Sequence, residues 1–368
     1  MLPVRNGGQQ RALQWQKALG MYARVTCVTS RASEGYQQGN VKVLPMLKAG
    51  IVRYFDFWGL RQLRPLAMEA DIIAVDQPFW GFLAVILAKT AGKPLVVHAH
   101  NVEFQRFKSL GKFWWKALIF YEKWVLEQAS LVIFISEPDR AFAVQAFRLQ
   151  QTRTWVFPYT MEPQRHMASK KELRKALHSK LGIPEQSPMV VFFGDFGYAP
   201  NAEALRVLAV EIAPRLQVLA PNAFIVVFGK GVSATFSAKY LAPVRNLTYI
   251  GFVEDIGEMV AAADAMVNPV LTGGGVKTKV LESLAMGIPV VSTDTGALGV
   301  EKALCGELLH LFRDGDWETC TQLLVMAFQT KGVLPEAFRQ YYDPDVATNQ
   351  LWESAISPLL QKKHPTTI

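Results

Sequence analysis

The sequence predicts an α/β chain of two doubly wound domains with parallel sheets, on three observations. Short Val/Ile-rich runs alternate with longer helical patterns through both halves, the arrangement that builds strand-helix-strand units. The runs lack polar alternation, as strands buried on both faces should. The 368 residues suit two domains of about 150 residues or more, each able to bury its own core.

In the first half, strands are read at 24–30, 41–45, 71–75, 94–98, 131–136 and 154–158. In the second they are read at 189–194, 224–229, 247–251, 265–269 and 289–293, with helices between them at 201–216 and 276–286. Residues 158–188 are polar and rich in Lys, Ser, Gln and Pro, with a charged helix near 170–181, and mark the junction. The domains are therefore placed at 1–165 and 166–344, with a C-terminal helix in 345–368 expected to pack back towards the first domain. A doubly wound domain opens with a strand before its first glycine-rich turn. Here Asn6-Gly7-Gly8 stands close to Met1, with Pro3 and Arg5 before it, so the first strand is expected to be missing.

Half of the residues are apolar and 19% are charged, which excludes a disordered chain. Cys27, Cys305 and Cys320 cannot make a disulfide framework, and a reduced, cytoplasmic compartment is expected. No apolar run reaches the roughly 18 to 20 residues of a membrane span, and the N-terminus lacks a signal peptide's apolar stretch. The net charge of +8 is uneven: residues 1–165 hold 21 Lys+Arg against 11 Asp+Glu, and 166–368 hold 18 against 20. The basic half is read either as a solubilising surface or as a half that meets an anionic partner. Segments 52–61 and 107–116 interleave aromatic and basic residues. They are either ordinary amphipathic-helix core or a patch for an anionic membrane surface.

The segment 271–293, LTGGGVKTKVLESLAMGIPVVST, carries the chemistry. Gly273, Gly274 and Gly275 follow a strand and open a helix, so backbone N–H groups and the helix N-terminus can approach a phosphate. Val276 follows them, Lys277 and Lys279 add positive charge, and Glu282 stands one turn on to accept hydrogen bonds from hydroxyls. The outline suits a diphosphate with hydroxyls beside it. A Walker A loop is absent, and no Gly-x-Gly-x-x-Gly follows an early strand. Neither Cys pairs nor His-x3-His spacing suggests a metal. Glu122 and Glu127 are read as solvated helix charges. His98 is expected to turn to the opposite face of its strand from His100.

The sequence resembles the retaining, nucleotide-sugar-dependent glycosyltransferases of family 4, which have the GT-B fold. The resemblance runs over nearly the whole chain. It is carried by Pro3, Gly7, Gly8 and Arg11; by His98-Ala-His-Asn-Val-Glu103; by Tyr121-Glu122 before Ile135-Ser136; by Phe193-Gly-Asp-Phe-Gly-Tyr-Ala-Pro-Asn201; by Gly251-Phe-Val-Glu-Asp255; and by the Gly273–Glu282 block. It implies two Rossmann-like domains facing across a cleft, the first for the acceptor and the second for the nucleotide sugar. The implied reaction moves a sugar from a UDP- or GDP-sugar to a hydroxyl of a lipid-linked glycan or polysaccharide, with no cofactor and no metal required.

The resemblance also assigns residues. Glu282 matches the second glutamate of the family's E-x(7)-E motif and binds the donor ribose, whereas Gly274 stands where the first glutamate would be. Gly194 heads the first loop of the second domain. There Asp195 and Asn201 replace the usual Arg and Lys, leaving Lys277 and Lys279 to neutralise the phosphates. His100 matches a histidine that faces the transferred sugar. His100, Lys279 and Glu282 are thus the expected catalytic residues; Gly7, Gly8, Arg11, Asn101 and Glu103 are expected on the acceptor side. The alternatives are a non-catalytic nucleotide-sugar-binding subunit and a GT-B sugar-nucleotide epimerase.

Overall fold

The computed structural model describes residues 7–48, 50, 56–161, 169–330 and 332–361. The chain forms two compact units, Met1–Thr160 with Tyr341–Ile368, and Met161–Gln340. Each unit contains a sheet of parallel strands joined by helical crossovers, as an α/β chain requires.

Unit 1 runs α1 (Gly7–Tyr22), β1 (Val25–Ser30), β2 (Tyr36–Gln38), β3 (Val41–Leu47), α2 (Phe57–Glu69), β4 (Ile73–Asp76), α3 (Gly81–Ala91), β5 (Leu95–Ala99), α4 (Glu103–Ser109), α5 (Trp115–Gln128), β6 (Leu131–Phe134), α6 (Glu137–Phe147) and β7 (Thr154–Val156). Every residue of β5 and β6 is buried, which explains why these runs read as continuous Val/Ile/Leu rather than as alternation. The described strands of this unit form two sheets, ordered β1-β3-β2 and β4-β5-β6-β7. The sequence reading missed β2, which is antiparallel to β3. Only Gly39 and Asn40 join the two strands, and Gly39 sits at φ +55°, so the chain must turn straight back. The expected absence of a first strand, together with Pro3, falls on residues outside those described.

Unit 2 contains α7 (Lys170–Leu181), β8 (Met189–Asp195), α8 (Ala199–Val207), α9 (Ala213–Leu219), β9 (Phe224–Lys230), α10 (Ala234–Phe236), β10 (Leu247–Tyr249), α11 (Ile256–Ala261), β11 (Ala265–Asn268), α12 (Thr278–Ala285), β12 (Val290–Thr293), β13 (Leu309–Phe312) and α13 (Trp317–Ala327). The helix read at 201–216 is thus two, joined by a wide π turn over Leu208–Ile212. Pro214 follows that turn and has no N–H to return to the preceding one. β13 escaped the sequence reading because it is only four residues long, with His310 inside it. Its sheet is ordered β10-β9-β8-β11-β12-β13 and is parallel throughout. Counted from β8, this order reverses between β8 and β11, and ligands of open α/β sheets bind outside the carboxyl ends of strands at such a reversal.

α14 (Glu336–Tyr342) is followed by α15 (Pro344–Leu351) and α16 (Ser357–Gln361). The last two belong to unit 1, where Tyr22 stacks on Trp352 with ring centroids 5.1 Å apart and its hydroxyl donates to Asn349 Oδ1 at 2.9 Å. Leu351, Ala355 and Ile356 join Trp15, Val96 and Ile133 in one apolar cluster. No helix among the described residues is long and apolar enough to cross a membrane.

Candidate functional site

In unit 2 the β8/β11 reversal brings two glycine-bearing segments together. Gly194 ends β8 beside Asp195, and a Cβ on it would lie 2.9 Å from Asn201 Nδ2 and 3.2 Å from Lys279 Nζ. Only glycine leaves room for both side chains. Asn201, in the first turn of α8, donates from Nδ2 to Asp195 O at 2.9 Å and accepts from Lys279 Nζ at 2.8 Å. The Lys279 ammonium also lies 4.7 Å above the Phe192 ring. Desolvation, with the Lys277 charge adding to it and Glu282 opposing, pushes Lys279 down to about 7. Part of its surface is still accessible, so a ligand can reach a cation that solvent hardly screens. Burial likewise raises the Glu282 carboxyl, with Lys279 opposing.

The segment after β11 supplies the other wall. Gly273 sits at φ +95° and Gly275 at φ +74°, a region that residues with a Cβ seldom adopt. Lys277 Nζ donates to Gly273 O at 3.0 Å and Gly274 O at 3.2 Å, so this lysine braces the glycine turn. Val276 packs against Gly299, where a Cβ would lie 2.7 Å from its methyl. No side chain caps the N-terminus of α12, which leaves first-turn N–H groups for an anion. Gly194, Gly273–Gly275, Lys277, Lys279 and Glu282 thus share one neighbourhood. Asn201 had been noted only for the cation it replaces; its amide holds Lys279 in place.

Unit 1 carries a second polar cluster, at the carboxyl ends of β4 and β5. Asp76 Oδ1 accepts from His98 Nδ1 at 2.7 Å and from His100 Nε2 at 2.8 Å. The expectation that His98 turns away from His100 is corrected: residues i and i+2 of a strand share a face, and here they share an acceptor. His98 is fully buried beneath Trp15, with ring centroids 4.6 Å apart, and burial pushes it down to about 3. The two imidazoles outweigh desolvation and hold the Asp76 carboxyl well below the usual carboxylate range.

Arg11 is 2% exposed. It donates to Pro158 O at 2.7 Å and to Phe157 O, and its guanidinium lies 4.3 Å over the Phe157 ring. Burial lowers it to about 9, with the Asp76 charge opposing. Gly7 and Gly8 form the first turn of α1, the helix that presents Arg11. Asp76, His98 and His100 place three potential metal-ligand atoms within 4.8 Å of one another. However, the ring nitrogens facing Asp76 are already engaged, and the buried Arg11 charge nearby opposes a further cation. His-x3-His spacing does not report this set, because Asp76 stands on a different strand, 22 positions before His98.

Asn101 and Glu103 form a brace beside this cluster. Glu103 is fully buried and accepts from Asn101 Nδ2 at 2.9 Å and Arg106 Nε at 2.8 Å. Glu122 is not a solvated helix charge as expected: it too is fully buried, and it accepts from the backbone N–H groups of Glu103 (2.7 Å) and Phe104 (3.0 Å). It caps α4 from α5. Its pKa is raised to about 7 by burial, which outweighs those two hydrogen bonds.

Two family models match the chain: "Glycosyltransferase Family 4" over residues 6–165 and "Glycosyl transferases group 1" over residues 187–325. The chain belongs to the GT-B glycosyltransferases. It is accordingly an enzyme, a transferase. Solved structures of this fold match it along nearly their whole length. Sucrose-phosphate synthase from Thermosynechococcus elongatus is 16% identical, with a TM-score of 0.69 over 98% of this chain and 94% of that one. Anabaena HepE in complex with UDP is 16% identical, with a TM-score of 0.66 over 96% of each chain. WaaG, a glycosyltransferase involved in lipopolysaccharide biosynthesis, is 17% identical, with a TM-score of 0.63 over 98% of this glycosyltransferase and 95% of that chain. Comparison with curated proteins finds no match.

Proposed function

We propose that this glycosyltransferase moves a sugar from a nucleoside diphosphate sugar to a hydroxyl of a lipid-linked glycan or polysaccharide, with retention of anomeric configuration. One observation carries the reading: a deeply set ammonium, Lys279, is held by Asn201 against glycine turns at the reversal point of the unit 2 sheet. That arrangement offers a full charge, backbone N–H groups and no obstructing side chain, which is what a diphosphate needs. Glu282, one turn beyond Lys279, is the acceptor for ribose hydroxyls. The HepE structure contains UDP, which supports a uridine nucleotide as the first probe. Retention needs no protein nucleophile when the departing phosphate takes the acceptor proton on the same face, so the protein's part is positioning and charge stabilisation. No cofactor is needed for that chemistry.

A thermal-shift screen of UDP-, GDP-, ADP- and dTDP-sugars is the test. One class is expected to raise the midpoint in proportion to the logarithm of its concentration, and the anomeric configuration of the product, read by NMR, reports retention. A protein that no nucleotide sugar stabilises, or a product of inverted configuration, defeats the corresponding part of the reading.

Unit 1 supplies the acceptor side, and its surface supports a peripheral membrane role on the cytoplasmic face. Phe113 is 86% exposed, Phe120 75% and Trp114 38%. Lys112 and Lys116 flank Phe113 and Trp114 in sequence, and Phe120 lies one turn beyond Lys116, so aromatic rings can enter the lipid boundary while ammonium groups meet anionic headgroups. In the other segment the reading named, residues 51–55 lie outside the described set, and Trp58 is 68% exposed. Flotation with anionic vesicles at low salt should recover the protein, and the double substitution Phe113→Ser with Phe120→Ser should reduce recovery several-fold. Equal recovery from neutral and anionic vesicles, or none at low salt, contradicts this role.

A further inference from the structure

We propose that Asp76 is a positioning residue that fixes the proton of His100 on Nε2, so that Nδ1 is offered as an acceptor to a hydroxyl of the carbohydrate substrate. The inference rests on the glycosyl-transfer reading above and adds to it a residue that neither the family resemblance nor the motif scan had singled out.

The hydrogen bonds themselves assign the proton. An ionised carboxylate only accepts, and Asp76 Oδ1 lies 2.8 Å from His100 Nε2 and 2.7 Å from His98 Nδ1. Both of those nitrogens are therefore N–H donors. In a neutral His100 the lone pair then falls on Nδ1, where the Gln77 amide Nε2 stands at 3.1 Å. The same logic holds an imidazole in one tautomer in Asp-His pairs of hydrolytic enzymes.

His98, Arg11 and the Cys27 thiol are other titratable groups that feel the Asp76 charge. His98 is a buried neutral donor that occupies a second lone pair of Oδ1 and thereby fixes the carboxylate. The Arg11 guanidinium, held by Phe157 O and Pro158 O, places a positive charge nearby.

Gln77 supplies the sign that Nδ1 is meant to be used. Its backbone sits at φ +68°, a conformation rare for a side-chain-bearing residue and one that structures retain where function requires it. Gln77 N donates to His98 O at 2.8 Å, which pins the residue so that its amide covers Nδ1. Gln77 is half-exposed whereas His100 is 4% exposed. The amide is thus a removable cover, and an incoming hydroxyl can take its hydrogen bond.

Histidine ¹H–¹⁵N correlation spectra of the full chain test the assignment without requiring activity, with His100→Gln identifying the resonance. The expected result is a protonated Nε2 and an unprotonated Nδ1 at neutral pH; an Nδ1–H tautomer or a doubly protonated ring overturns the proposal. Asp76→Asn and Asp76→Ala are then compared using the sugar nucleotide that gives the largest thermal shift. Both should lower kcat for transfer or donor hydrolysis by roughly ten- to a hundredfold, with UDP affinity unchanged within about twofold, since the nucleotide belongs to unit 2. Unchanged kcat in a folded Asp76 variant overturns the proposal. If instead the parent transfers and hydrolyses nothing, the glycosyl-transfer reading fails, while the tautomer assignment still stands or falls on the spectra.

Discussion

Replacing Lys279 with Met is expected to abolish the UDP-induced thermal shift and to lower turnover by about a hundredfold or more, the scale of losing one preorganised charge at a developing oxyanion. The unliganded variant should be at least as stable as the parent. Lys279 is packed deep, and its pKa has fallen to about 7 from an ordinary 10.5, so the folded state binds its proton less readily than the unfolded chain does. That difference costs stability at neutral pH and is relieved as pH rises through 7 towards 10.5. A Met of similar length removes the cost and keeps the contact with Phe192. Affinity for UDP should follow the protonated fraction. Above about pH 7 it should weaken in the parent, by up to about tenfold per unit, and be much less pH-dependent in the variant. Calorimetric titration between pH 6.5 and 8.5 reads both slopes. Wild-type affinity in the Met variant would remove Lys279 from the site.

Glu122→Ala should be the most damaging single substitution to stability among the residues discussed. It leaves the Glu103 and Phe104 N–H groups, now bonded at 2.7 and 3.0 Å, without acceptors in a buried position and opens a cavity beside them. The two effects together should cost about 3 to 5 kcal/mol, which lowers the midpoint of unit 1 by roughly 6 to 15 °C. The pH dependence has a definite sign. The folded pKa, about 7, lies above the ordinary 4.5, so the stability contributed by protonated Glu122 is full below pH 4.5 and is lost as pH rises through 7. Chemical denaturation of the parent and the Ala variant at pH 5 and pH 8 should therefore differ more at the lower pH. UDP binding should survive wherever unit 2 remains folded. An unperturbed midpoint in the Ala variant would mean that the α4 terminus is solvated.

The glycine-lysine segment shows how far local sequence reaches. Gly273–Gly275 with two lysines and a glutamate at fixed spacing can be read as a candidate anion site because backbone geometry and helix polarity are local properties, set within a dozen residues. The strand runs read at 94–98 and 131–136, observed as Leu95–Ala99 and Leu131–Phe134, are equally plain, since strands buried on both faces carry the same apolar signal wherever they pair. Other features depend on partners distant in the chain. Asn201 meets Lys279 from 78 positions away and Asp76 meets His100 from 24, and no spacing rule reports either pair. Glu122 looked like a solvated charge because its neighbours in α5 alternate like a surface helix; only the docking of α4 makes it a cap.

The sequence by itself determined the fold class and the family, which follow from short-range periodicity, chain punctuation and recognisable residue order. Tertiary structure alone decided the rest. It reversed the sheet order between β8 and β11 so that Gly194 and the 273–275 turn share one site. It made Lys279 a deeply set cation rather than a surface one, and it placed His98 of β5 and His100 just beyond it on the single oxygen of Asp76. The physical reason is common to all three: burial, charge and hydrogen-bond partnership belong to the space around a side chain, which the order of residues along the chain does not contain.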